Sequence, residues 1–381
     1  MDNLCNVFNE HIANTLLNMK NLFFILLTVL GISFTFQSCK EDIDLVGDYT
    51  ETAVVYGILD QADSVHMIKI TRAFIGPGDA TQIAGIPDSN YFTTVTGTVK
   101  EFIGGSLART FTLRDTIVNN KDENGIFYAP EQKLYYFTTS SSSPLIETAE
   151  YQLDLVINGG QFEVSGRTAL VNGMSTTFGN PIKKFRFVDV NNEYASTAIP
   201  VSVGTAKQVN VTLNIEYTEW IGTASTVRSF DWTVGELEVS TGTQSFSANG
   251  QPFYSLIAES CSSDPNVDKR TLNSITTYIT GGAEEFVNYM QVNEPSSSLA
   301  QSKPTYTNLT ATEGHPVIGL FSSRNTLTVY KPFIDPGGNS NVRCLDKRST
   351  ERLCTGSITS PYLFCSDHPA DIASNEAYVC N

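Results

Sequence analysis

The sequence predicts a mainly β protein: an N-terminal immunoglobulin-like β-sandwich, a second β-rich domain with one or two short helices, and a Cys-rich C-terminal tail. Three observations predict it. Short runs rich in β-branched and aromatic residues recur along the chain, broken by Gly, Asn, Asp and Ser. Gln208 to Tyr217 alternates strictly, with Val209, Val211, Leu213, Ile215 and Tyr217 on one side and Asn210, Thr212, Asn214 and Glu216 on the other. That is the pattern of a half-buried antiparallel strand. Cys344, Cys354, Cys365 and Cys380 gather in the last 38 residues.

In chain order, residues 1–38 are expected to stand apart from this fold. Met19-Lys20-Asn21 opens a mildly basic segment, Leu22 to Ile32 is apolar throughout but for Thr28 and Gly31, and Ser38 precedes Cys39. A basic start, a short apolar stretch and a small residue before the cut make a secretory signal. The stretch is shorter than the roughly 20 residues that span a bilayer. A Cys directly after the cut predicts lipid attachment, with Cys39 as the acylated N-terminus of the mature chain. Residues 1–18 have no basic region of their own, so Met19 reads as the true start and the preceding segment as an upstream extension; a long basic region is the other reading. Residues 39–50 read as a lipidated, acidic tether.

The sandwich is expected over residues 51–171. Seven runs supply it: Ala53 to Leu59, Val65 to Phe74, Val95 to Ile103, Arg109 to Leu113, Lys133 to Thr139, Tyr151 to Ile157 and Phe162 to Leu170. Asn158-Gly159-Gly160 marks a hairpin turn between the last two. The stretch from Val171 to Pro181 reads as the boundary to a second domain over residues 172–343. In it, Phe230, Trp232 and Val234 repeat the alternation, Leu320 to Tyr330 returns to strand, and helices are predicted over Phe253 to Glu259 and Ala283 to Val292. Residues 344–381 have few apolar residues and no sustained period, so they read as a disulfide-stapled tail.

Composition narrows the function. Removing residues 1–38 takes away Asp2, Glu10 and Lys20, and the remaining 343 residues carry a net charge of about −15. Nucleic acid needs basic patches, so it is excluded as a partner, and the same acidity disfavours peripheral binding to anionic lipid. Four tail cysteines in an oxidising compartment suit disulfides. They allow three pairings, and a bond from Cys261 to one of them is a further alternative. The spacing of the tail cysteines and His368 is not that of a zinc knuckle.

The sequence carries few motifs of known chemistry. A nucleophile elbow, a His-Glu-x-x-His pair and a phosphate loop are all missing from the sequence. His66, His315 and His368 are far apart in sequence. Asn120, Asp122, Asn124 and Glu131 copy the oxygen spacing of a calcium loop, with Gly125 at its turn position. Strand-like flanks and Pro130 read the string instead as a hairpin turn, and no metal or other cofactor is expected.

The mature chain resembles a Bacteroidota outer-membrane lipoprotein family of unknown function, often encoded beside TonB-dependent transporters. The resemblance rests on Cys39, the early strand Ala53 to Leu59, the strand Glu163 to Thr168, and two blocks near the end. Pro304 to Leu309 (PTYTNL) and Gly319 to Arg324 (GLFSSR) are similar to that family's signature, with residues 310–318 between them. The resemblance assigns no catalytic residue. Ser322, Ser323 and Arg324 are a candidate site, and fixing a strand end is the plainer role for them. Lys40, Glu41 and Asp42 resemble the export signal that sends Bacteroidota lipoproteins to the cell surface. Asp63-Ser64-Val65 and Asp115-Thr116-Ile117 match the O-glycosylation pattern of the same group, at Ser64 and Thr116. The expected function is a surface-exposed, lipid-anchored, non-catalytic binding or accessory module. Its partners would be a TonB-dependent transporter or other envelope complex, and an extracellular ligand that the sequence does not name. A surface glycan or peptide hydrolase and an adhesin or scaffold are the alternatives.

Overall fold

Among the described residues, sixteen strands dominate the architecture. The computed structural model describes residues 51–73, 80–125, 128–239, 241–293 and 306–380. Cys39, Lys40, Glu41 and Asp42, with the expected signal segment, lie outside the described residues. The strands are β1 Thr52–Asp60, β2 Val65–Ala73, β3 Val95–Ile103, β4 Ser106–Thr112, β5 Arg114–Asn119, β6 Glu131–Thr138, β7 Glu150–Ile157 and β8 Phe162–Ala169. They continue as β9 Ser175–Thr176, β10 Ser196–Ser202, β11 Gln208–Ile221, β12 Ala224–Glu238, β13 Thr243–Asn249, β14 Lys269–Gly282, β15 Leu309–Ala311 and β16 Val317–Pro332. The mainly β class read from the sequence is the class observed, and the two expected helices are present as Gly250–Ser260 and Glu284–Asn293.

Three sheets form. Eight strands run in the order β12-β11-β14-β16-β1-β2-β6-β5, five in the order β15-β8-β7-β3-β4, and three in the order β13-β10-β9. The five-stranded sheet packs on the β16-to-β5 end of the large sheet as a sandwich. Alternate residues of each strand turn inward there, as period-two geometry requires. Val55, Leu59, Ile68, Ile70, Tyr151, Leu153, Leu155, Phe162 and Phe321 are fully buried in that core. A second core gathers the inward side of β11, the small sheet and the helix Gly250–Ser260. It contains Val209, Val211, Leu213, Ile215, Ile199, Phe246, Phe253 and Ile257.

The large sheet takes strands from both sides of the boundary expected at residues 171 and 172. β16 lies parallel to β1, with Ala53 opposite Val317 and Asp60 opposite Arg324. β15 pairs with β8, with Thr310 opposite Ser165. Strands from late in the sequence thus complete the N-terminal sandwich, and the chain from Thr50 onward clusters as one compact unit. Local periodicity identifies a strand but carries no information about a partner some 260 residues away.

The tail corrects a second expectation. It is not an appendage. Cys344 and Leu345 are fully buried in the second core, Phe185 bridges to Leu345, and Arg270 bridges to Phe364. Helices Lys347–Thr355 and Pro369–Ala373 flank a buried ion pair in which Arg343 Nη1 and Nη2 each donate to Asp371 at 3.0 Å. Arg343 Nη2 also donates to Thr350 Oγ1, and Ser366 Oγ donates to Asp371. The tail's apolar residues are few, but they insert into a core whose other walls are already built. Among the described residues one disulfide is present, Cys365–Cys380. Cys344 and Cys354, expected in disulfides, are free thiols, as is Cys261.

Candidate functional site

An open trough of about 880 Å³ runs along the outward side of the five-stranded sheet. Its floor follows from strand register. Thr310 lies opposite Ser165, Ser165 opposite Asp154, Asp154 opposite Thr98, and Thr98 opposite Thr112. One residue from each strand therefore forms a row across the whole sheet. Inward neighbours such as Leu153, Leu155, Val164 and Val99 hold the strands on the core and leave this row facing out.

The row is ordered by its own hydrogen bonds. Ser165 and Thr310 hydroxyls meet at 2.8 Å. Asp154 pairs with Lys100 at 2.9 Å and accepts from Gln152 Nε2 at 2.8 Å. Arg167 donates to Gln152 at 2.8 Å and lies over the Phe102 ring at 5.0 Å. The backbone N–H of Glu163 donates to Thr312 Oγ1. Nothing in the local pattern marks this surface, because a polar residue at every second position reads as an ordinary solvated face.

The Ser322–Arg324 candidate is structural. Ser323 Oγ donates to the Ala169 carbonyl at 2.7 Å and accepts from the Val171 N–H at 3.1 Å. Arg324 Nε pairs with Asp60 at 3.2 Å, across the β1–β16 register. Ser322 is fully buried and cannot meet a substrate. Asn308, from the other signature block, joins them: its Oδ1 accepts from Phe321 N at 3.0 Å and its Nδ2 donates to Phe321 O at 2.6 Å. β14 ends opposite Arg324, so residues earlier in β16 have no strand on that side. The Asn308 carboxamide takes the place of that strand. Gly319 belongs to the same lock. It has φ +117°, and a Cβ there would collide with the Val55 carbonyl oxygen.

The histidines and thiols are committed elsewhere. His66 stacks on Phe137 and hydrogen-bonds Thr139, His315 stacks on Phe162 at 4.4 Å, and His368 Nδ1 accepts from Ala370 N to cap a helix. Burial pushes the Cys261 thiol up to about 11 and those of Cys344 and Cys354 to about 12, so none is a ready nucleophile. A second buried ion pair joins Glu219 and Arg270 at 2.8 Å. Burial pushes Glu219 up, but hydrogen bonds from Ser262, Arg270 and Arg228 outweigh it and hold the carboxyl at about 2.

Of the calcium-like string, residues 122–125 form a local turn after β5, Glu131 opens β6, and residues 126 and 127 lie outside the described residues. Asp122 Oδ1 accepts from the Asn124 N–H at 2.9 Å, Gln132 donates to Asn120, and Tyr128 donates to Glu131 at 3.1 Å. The oxygens thus face separate local donors rather than a common centre. Ser64 is exposed before β2, and Thr116 is half-buried on the edge strand β5. No helix among the described residues is long and apolar enough to cross a membrane.

No protein-family model and no curated protein matches this chain. Among solved structures, the C-terminal globular domain of an oligosaccharyltransferase from Pyrococcus abyssi aligns with a TM-score of 0.21 and 11% identity. The alignment covers 58% of this chain and 44% of that one. A score at this level supports no inference of fold or function.

Proposed function

We propose that the chain is an outer-membrane lipoprotein, anchored through Cys39 and exposed on the cell surface, that acts as a non-catalytic binding or accessory module. The observation that carries the binding role is the trough: it is open and preordered, and its central carboxylate is closed in a pair with Lys100. The anchor reading rests on the apolar run Leu22 to Ile32 followed by Ser38 and Cys39. Eleven residues between Cys39 and Glu51 give a tether of at most about 40 Å, enough to lift the folded part off a membrane surface. A TonB-dependent transporter or another envelope complex is the proposed partner, on the resemblance of the signature blocks alone.

Cys39→Ala should abolish incorporation of a fatty-acid probe, and unchanged labelling would overturn the anchor. Replacing Lys40, Glu41 and Asp42 with Ala should leave the protein lipidated but shielded from protease added to intact cells. Equal cleavage of mutant and wild type would reduce the run to a simple tether.

A further inference from the structure

We propose that the trough takes a neutral, extended oligosaccharide laid across the strands of the five-stranded sheet. The inference rests on the binding-module reading above and adds the ligand class. Its first support is spacing. Thr310, Ser165, Asp154, Thr98 and Thr112 stand one per strand in a single row. Neighbouring strands lie about 4.8 Å apart, so polar side chains recur at that interval over roughly 19 Å. A pyranose unit in an extended chain advances by a similar distance, and each unit can then meet a similar set of groups.

The second support is chemistry. Four of the five groups in the row are hydroxyls, which both donate and accept, as sugar hydroxyls do. Ser165 and Thr310 are already fixed on each other at 2.8 Å, so little side-chain freedom is lost on binding. Ser165, Asp154 and Thr98 are half-buried while Thr310 and Thr112 at the ends are exposed, so the row is most enclosed at its centre. Val156, in the next row opposite Thr96 and Glu163, offers an apolar spot for the C–H side of a sugar ring.

Charge excludes the main competitors. Lys100 is paired with Asp154, and Arg167 is engaged by Gln152, Glu150 and the Phe102 ring. Asp115 is paired with Lys133 at 3.2 Å, and Glu163 adds negative charge at the lining of a chain whose net charge is −16. A phosphate, sulfate or uronate would find no unengaged cation among these groups. An extended peptide adds to a sheet edge through unpaired backbone groups; a sheet face, where β8, β7 and β3 are paired on both sides, offers none.

The test is calorimetric titration of the full chain, purified in detergent, with cellohexaose, xylohexaose, mannohexaose and laminarihexaose. Hexagalacturonate serves as the charged comparison. At least one neutral hexasaccharide should bind at submillimolar concentration. Thr98→Val and Thr112→Val, which keep side-chain shape, should each weaken binding by about tenfold or more, whereas Thr226→Val on β12 should not. Near-ultraviolet circular dichroism checks each variant's fold, and the exposed Thr112 serves if Thr98→Val misfolds. The proposal is overturned if no neutral hexasaccharide binds at millimolar concentration, if only hexagalacturonate binds, or if both row variants bind like wild type. Failure of the underlying lipoprotein reading shows separately, as unchanged fatty-acid labelling of Cys39→Ala.

Discussion

Asn308→Leu is the sharpest perturbation of the fold, because the change keeps volume and removes only the carboxamide. Three hydrogen bonds go: from Phe321 N at 3.0 Å, to Phe321 O at 2.6 Å and to Arg167 O at 3.2 Å. The Arg167 bond is exposed and contributes little. The two to Phe321 are part-buried. Each is worth about 1 kcal/mol net, and stranding the Phe321 N–H and C=O away from β14 adds part of their desolvation cost. The expected loss is roughly 2–4 kcal/mol of unfolding free energy. Urea unfolding followed by tryptophan fluorescence should show a lower midpoint with an unchanged slope. Asn308→Asp keeps the acceptor for Phe321 N but sets a carboxylate oxygen against Phe321 O, so it should be no milder. A loss below about 0.5 kcal/mol in Asn308→Leu, the range of ordinary surface changes, would refute the strand-replacement argument.

Further outcomes follow from single residues. Gly319→Ala forces a Cβ into the Val55 carbonyl at a positive φ, and should cost more than about 4 kcal/mol or abolish soluble expression. Burial lowers the Lys331 ammonium, held by the carbonyls of Asn180 and Lys183, to about 8. Between about 8 and the usual 10.5 the unfolded chain holds a proton that the folded one lacks, so stability should rise with pH across that window. Urea midpoints measured through it should flatten in Lys331→Met. Reducing Cys365–Cys380, which are 15 residues apart, should cost about 3 kcal/mol. Non-reducing peptide mapping should find Cys261, Cys344 and Cys354 alkylated without reductant.

What was legible in the sequence was what period and turn chemistry encode. The alternation of Gln208 to Tyr217 became the inward and outward sides of β11, and Asn158-Gly159-Gly160 became the turn between β7 and β8. What was not legible depends on distant partners. The parallel β1–β16 pair carries no local mark, so the sandwich could not be closed correctly from residues 51–171 alone. The tail misled because its sparse apolar residues were judged without the core that receives Cys344, Leu345 and Leu353. Its cysteines misled because count and spacing do not reveal which of them the fold brings within bonding distance, and Cys365 and Cys380 are the pair that meets while Cys344 and Cys354 stay free.

Asn308 and β16 are linked to the trough by chain geometry. Asn308 immediately precedes β15, so the carboxamide that fixes Phe321 also fixes where Leu309 to Ala311 joins the edge of β8. Leu309 is buried against that sheet while Thr310, next to it, faces out beside Ser165. The lock on β16 therefore sets the position of the last group in the trough's row. Ser323 and Arg324 reinforce it by tying β16 to residues 169–171 and to Asp60. A set of Asn, Gly, Ser and Arg residues, of types common in active sites, is accordingly occupied in fixing strands. Its residues hold late strands on an early sandwich, and the neighbouring outward positions, free of packing constraints, are where recognition can be built.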